Sequence, residues 1–109
     1  MAAAEELTGR AFKVDELIRP AEGGIVSRAI LKSGGGNVTL FAVAAGEEIS
    51  EHTAAFDALA FVLDGAAQIT VGGTTHMVRA GELLILPAHV PHGLRAEASF
   101  RMMLVMLRA

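Results

Sequence analysis

The amino-acid sequence predicts an all-β domain, an antiparallel sandwich or barrel. Three observations carry this expectation. Short apolar stretches recur at spacings of roughly 8–12 residues. Glycine-rich or Asp-Gly turns separate several of them, and beyond the first residues no helix-period stretch is long enough to compete. With 109 residues the chain forms one domain, because a second core would not fit.

Residues 1–10 read as a frayed or weakly helical tail, and 11–109 as the folded domain. Phe12 to Ile18 reads as a short ordered segment, an edge strand, ended by Pro20. Ile25 to Leu31 and Val38 to Ala44 are strand-like, joined by Ser33-Gly34-Gly35-Gly36-Asn37. The glycine triplet reads as a flexible hairpin loop, since neither a helix start nor a Lys-Ser/Thr pair follows it as phosphate cradling requires. Ala58 to Leu63 and Ala66 to Val71 flank Asp64-Gly65, and Gly72-Gly73 is a two-residue hairpin turn that needs positive φ. Thr74 to Val78, Leu83 to Leu86, His92 to Ala96 and Phe100 to Leu107 complete the set.

The last of these strands does not alternate polar with apolar residues, so both its faces read as buried. In so small a domain the second cover is expected to be another subunit, which makes a homodimer the expected assembly. Its methionines, Met102, Met103 and Met106, read as gap-filling packing rather than soft-metal ligands.

Composition narrows the function. At 52% hydrophobic the chain is not a disordered segment, and with 5% aromatic residues its core must come from Val, Leu, Ile, Ala, Met and five Phe. No apolar run reaches the ~18–20 residues that cross a bilayer. Glu5 and Glu6 stand where a secretory signal carries positive charge. A cytoplasmic location is expected, and the absence of Cys agrees by excluding disulfides and thiolate chemistry. A net charge of −3 with nine scattered Lys and Arg argues against nucleic acid as a partner.

The chemistry concentrates in two stretches. Gly46-Glu47-Glu48-Ile49-Ser50-Glu51-His52 runs through Phe56-Asp57-Ala58 to Gly65, and Gly81 runs through Pro87 and His89 to His92. Gly46, His52 and Gly65 stand at the spacing Gly, five residues, His, one residue, His, three residues, Glu, six residues, Gly. The second stretch fits Gly, five residues, Pro, one residue, Gly, two residues, His. These are the two motifs of the cupins, and between Gly46 and Ala96 the chain resembles a small single-domain cupin of the RmlC-like jelly-roll type. It also looks like small bacterial cupins with Ser-Glu-His-Thr and Phe-Asp-Ala in the first motif.

The resemblance implies a double-stranded β-helix, a jelly-roll barrel. It also implies one divalent metal inside that barrel, held by two histidines and a glutamate of the first motif and a histidine of the second. Carried over position by position, His52 and His92 match. Ala54 stands at the second histidine position and Ala58 at the glutamate position; His89 replaces the motif glycine, and Ala96 replaces the terminal Asn. A catalytic metal site usually has three protein ligands, so two imidazoles alone hold an ion weakly or not at all. The family pattern turns positions 52, 54 and 58 inward, where two methyl groups enlarge and dry the cavity, leaving space for water, an uncharged ligand or Phe56.

His52 and His92 are therefore the candidate contacts for a substrate or a weakly bound divalent metal, or else a mutually satisfied polar pair. Asp57 either turns inward through a bulge or makes turn hydrogen bonds. His76 shares a strand face with Val78 and either lines the cavity or sits at its rim. His89 reads as a turn residue in a left-handed conformation. The candidate ligand-binding set is thus His52, Phe56, Asp57, His76 and His92. Three functions follow: a cupin that binds a small organic ligand, with or without acid–base work by a histidine; a metal-dependent dioxygenase or isomerase completed by Asp57 or His76; and a scaffold without chemistry.

Overall fold

The computed structural model describes residues 7–108. Residues 1–6 of the expected tail, and residue 109, lie outside the described residues. Among the described residues, nine strands follow one helical turn, α1 (Val14–Leu17). They are β1 (Ile25–Ser33), β2 (Gly36–Val43), β3 (Glu48–His52), β4 (Ala58–Asp64), β5 (Ala66–Val71), β6 (Thr74–Arg79), β7 (Leu83–Leu86), β8 (His92–Arg95) and β9 (Phe100–Leu107). Eight of them fall where the alternation placed strands. The ninth, β3, lies within the first motif.

All pairings are antiparallel. One sheet has the order β1-β2-β9-β4-β7 and the other β3-β8-β5-β6, the two-sheet arrangement of a jelly roll. Alternation puts Val43, Ala60, Val62, Phe100 and Met102 of the first sheet against Ala67, Ile69 and Val78 of the second, all buried in one cluster. Fully burying a side chain the size of Phe100 or Ile69 contributes about 1.5–3 kcal/mol. At the β4–β5 corner Gly65 has φ 73°, and a Cβ there would lie 2.6 Å from the Ser99 carbonyl oxygen.

The segment Phe12 to Ile18 is not an edge strand. Lys13 N donates to Glu16 Oε1 at 3.3 Å and Ile18 N to Val14 O at 2.9 Å, which closes one helical turn before the backbone extends at Ile18. Val14, Leu17 and Ile18 share a face at this spacing and pack on Leu40, Ala42 and Met103, on the outside of the first sheet. The apolar pattern that read as a strand is a helical turn seeking the same cover.

Polar contacts lock this turn down. Arg28 Nη1 donates to Leu17 O at 3.0 Å. Arg101 of β9 gives Nη1 to Ile18 O at 3.0 Å and Nε to Asp64 Oδ2 at 2.8 Å, and it also pairs with Asp15 of α1. The hydrogen bond from Arg101, and then its charge, lower the Asp15 pKa below 3.8. A carboxyl lowered in the fold stabilises above its unfolded pKa and loses that contribution as pH falls through the folded value. Asp15→Asn should therefore lie closest to wild type in strong acid, and an unchanged gap there, measured by urea unfolding across pH, would remove this pair from the account. Arg101→Ala should cost about 2–3 kcal/mol, the scale of hydrogen bonds to a charged group, and should expose the chain before Ala21 to protease.

Candidate functional site

The site forms where β3 meets β8. Ile49 pairs with Leu94, and the next pair is His52 with His92. That is three steps along β3 against two along β8, a β-bulge of one extra residue. Ile49 belongs to an inward row with Leu94 and buried Ile69. Three regular steps from it would turn His52 outward, and the extra residue returns His52 to the inner face, directly across from His92.

Gly93 makes room for the bulge. A Cβ on it would lie 2.9 Å from Ile49 O and 3.1 Å from Glu51 N. No other residue fits there without moving the bulged backbone.

The two rings meet edge to face, with centroids 4.4 Å apart and planes at 66°. His52 Nδ1 donates to Ser50 O at 3.0 Å, and His92 Nδ1 donates to Val90 O at 3.3 Å. A carbonyl only accepts, so each Nδ1 carries a proton, and a ring in its neutral form keeps its lone pair on Nε2. His92 is buried, whereas His52 is exposed.

Both histidines line a cavity of about 140 Å³ between the sheets. Its other walls include Phe41, Ala60, Ile69, Leu86, Met102 and Leu104, and His52 and His92 are its only titratable side chains. A shallower groove of about 320 Å³ crosses the outer face of the second sheet, past Glu48, Gln68, Thr70, Thr75 and Arg95. Thr70 and Thr75 already bond each other there at 3.0 Å, and no histidines converge on it.

The other candidate residues stand away from the cavity. Asp57 Oδ1 accepts from Ala88 N at 2.8 Å and its carbonyl from Leu107 N at 3.1 Å, so main-chain donors from distant segments engage it rather than the expected turn hydrogen bonds, and it does not line the cavity as a replacement ligand. Phe56 is 37% exposed and does not fold into the space. His76 sits opposite Ile69 on edge strand β6, exposed, and does not reach the cavity. Ala58 is buried in the core, and Ala54 is placed in a loop by the bond from His89 N to its carbonyl at 2.8 Å. His89 has φ 66°, the left-handed turn conformation expected of it. Ala96 N bonds Glu47 O at 2.9 Å, and its carbonyl accepts from Gly46 N at 2.7 Å, tying the two motifs together.

Residue-by-residue reading of the motifs did not identify the walls from β2 and β9, Phe41, Met102 and Leu104. Their signal was the every-second-residue spacing of Phe100, Met102 and Leu104, masked by apolar residues at the positions between. Among the described residues no group of three or more His, Cys, Asp or Glu stands close enough to hold a metal ion. Two imidazoles without a carboxylate fit neither the four-ligand set that the two motifs imply nor the three protein ligands usual for a catalytic metal.

Known proteins share this fold. A cupin-domain model matches residues 39–108. An uncharacterized protein of Streptomyces coelicolor is 38% identical over 85 residues, covering 76% of this chain and 80% of its own length. A protein of unknown function from Streptococcus pyogenes superposes with a TM-score of 0.86 at 28% identity, over 93% of this chain and 89% of the other. A cupin superfamily protein from Desulfitobacterium hafniense gives 0.85 at 28% identity over 94% of each.

Gly93→Ala should cost about 1–3 kcal/mol, the range for overpacking, and should separate the two rings. Loss of the proton–proton contact between the His52 and His92 rings by NMR is the expected result. An intact contact would mean that the bulge is held elsewhere.

Proposed function

This chain belongs to the cupin family, and on that premise we propose that it binds a small organic ligand in the barrel cavity, with weak or no metal binding. The observation that carries the proposal is the pairing of His52 and His92 at one end of an otherwise carbon-walled cavity of about 140 Å³. Concave, mostly apolar pockets with a few convergent polar groups are the usual form of small-molecule sites. Each ring in its neutral form keeps one lone pair for a ligand, and an imidazole can also accept a proton in an acid–base step.

The site's donor set supports weak metal binding. Untagged protein grown with several divalent metals should carry far less than one ion per chain by elemental analysis. Near-stoichiometric metal, lost in His52→Ala or His92→Ala, would replace this reading with a metal-dependent enzyme. A metabolite screen by thermal shift should find a stabilising ligand whose effect falls in the same two variants. No shift from any compound would favour a scaffold without chemistry.

The same proposal includes a homodimer. On the outer face of the first sheet, register aligns Val38, Val105, Leu59 and Ile85 in one row and Met103, Phe61 and Leu83 in the next, with no charge among them. Leu83 and Ile85 are more than half exposed. An uncharged apolar patch complements itself, as a two-fold interface requires. Light scattering at micromolar concentration should give a two-chain mass, reduced to one chain in Leu83→Lys/Ile85→Lys; a monomeric wild type would refute this assembly.

A further inference from the structure

Resting on that reading of the cavity, we infer the class of ligand it takes: an uncharged molecule the size of a single aromatic ring, carrying one hydroxyl donor. Phenol is the simplest member. Three properties of the cavity lead there.

The first is volume. An apolar protein cavity of roughly 150 Å³ lined by Leu, Ile and Phe binds benzene, and this cavity measures about 140 Å³ with walls of the same chemistry. One six-membered ring with a small substituent fills it. A sugar ring with several hydroxyls fits the volume but meets only carbon along Ile69, Leu86 and Leu104, and each hydroxyl left unpaired costs about 1–3 kcal/mol by protein mutational data.

The second is charge. No Lys, Arg, Asp or Glu lines the cavity. A phosphate or a dicarboxylate would lose its hydration there without a permanent counter-charge. An ammonium group would meet no carboxylate.

The third is the polarity of the one polar end. Both Nδ1–H groups are engaged by the carbonyls of Ser50 and Val90, so the neutral pair offers acceptors only, one Nε2 on each ring. An ether or a ketone brings a further acceptor and leaves both lone pairs unmet. A hydroxyl supplies the missing donor to one Nε2, while the ring packs against Phe41 and the Met102 sulfur, a favourable contact for an aromatic face or edge.

The experiment is a titration of the full chain with phenol, anisole and benzoate, followed by calorimetry and by the methyl NMR signals of Ala60, Met102 and Leu104. Phenol should bind and shift those signals. Anisole, which keeps the ring but lacks the donor, should bind at least tenfold more weakly, the loss of a single hydrogen bond of about 1.4 kcal/mol. Benzoate should also be weaker. In His92→Phe and, separately, His52→Phe, a position exposed enough to accept the change, the preference for phenol over anisole should shrink.

Anisole or benzoate binding as tightly as phenol would overturn the hydroxyl-donor class while leaving the cavity a ligand site. Cavity methyl signals unmoved by all three compounds would overturn the ring-sized class. A stabilising metabolite outside it would then preserve the binding proposal, and its absence would end both.

Discussion

Side chains on a strand alternate between the two faces of its sheet, so the extra residue between Ile49 and His52 turns His52 from the outer surface to the interior and sets it across from His92. The remaining features of the site depend on that displacement. Without it one imidazole alone would face the cavity, and no pair of acceptors would form. The bulge in turn depends on Gly93, because the bulged main chain passes where any Cβ on that residue would stand. A glycine beside a histidine on β8 thus decides the direction of a histidine on β3. Sequence to bulge, bulge to facing rings, and rings to a polar cavity end form one chain of causes.

Much of this was legible in the sequence and some was not, for physical reasons. Eight strands follow from local alternation and turn glycines, which act within a few residues. The motif spacing placed His52 and His92 together because it encodes which strand ends meet. Asp57 could not be assigned by alternation, since it lies in a loop where a main-chain donor, Ala88 N, competes for its carboxylate. The bulge was invisible as well: it depends on the register of β3 against β8, a contact between residues some forty positions apart. Phe12 to Ile18 misled because Val14, Leu17 and Ile18 are apolar in either conformation. The helical turn is marked by its hydrogen bonds, Lys13 N to Glu16 Oε1 and Ile18 N to Val14 O, which apolar spacing does not reveal.

Strand β9 joins the two halves of the account. Its inward residues Phe100, Met102 and Leu104 build the core and the cavity wall, and its outward residues Met103 and Val105 continue the apolar outer face. The N-terminal segment covers one part of that face, over Leu40, Ala42 and Met103, with Arg101 fixing the segment through Asp15 and the Ile18 carbonyl. Asp64 holds the same guanidinium from the β4 side. A mostly buried cation is tolerated there because each of its nitrogens has an acceptor. The rest of the face, Leu59, Phe61, Leu83 and Ile85, has no such cover among the described residues.

The replacement of two expected metal ligands by alanine also changes what holds the remaining histidines. In a metal centre the ion orients the rings; in this chain each ring is oriented by a carbonyl two residues before it, Ser50 for His52 and Val90 for His92. That is the same outer contact that steadies a metal-bound histidine, and it needs no metal to form because it lies within each histidine's own segment of chain. The consequence is an unusual demand. Two lone pairs on rings 4.4 Å apart cannot satisfy each other without a shared proton. At the exposed end water can answer that demand, but water gains nothing from Phe41, Ile69 or Leu104. A molecule that offers one donor and carries apolar surface gains from both ends of the cavity, since each Å² of that surface withdrawn from water adds about 25 cal/mol. With alanine at the two expected ligand positions, the selectivity of the proposed site rests on this contrast, acceptors on the histidines and carbon on the remaining walls.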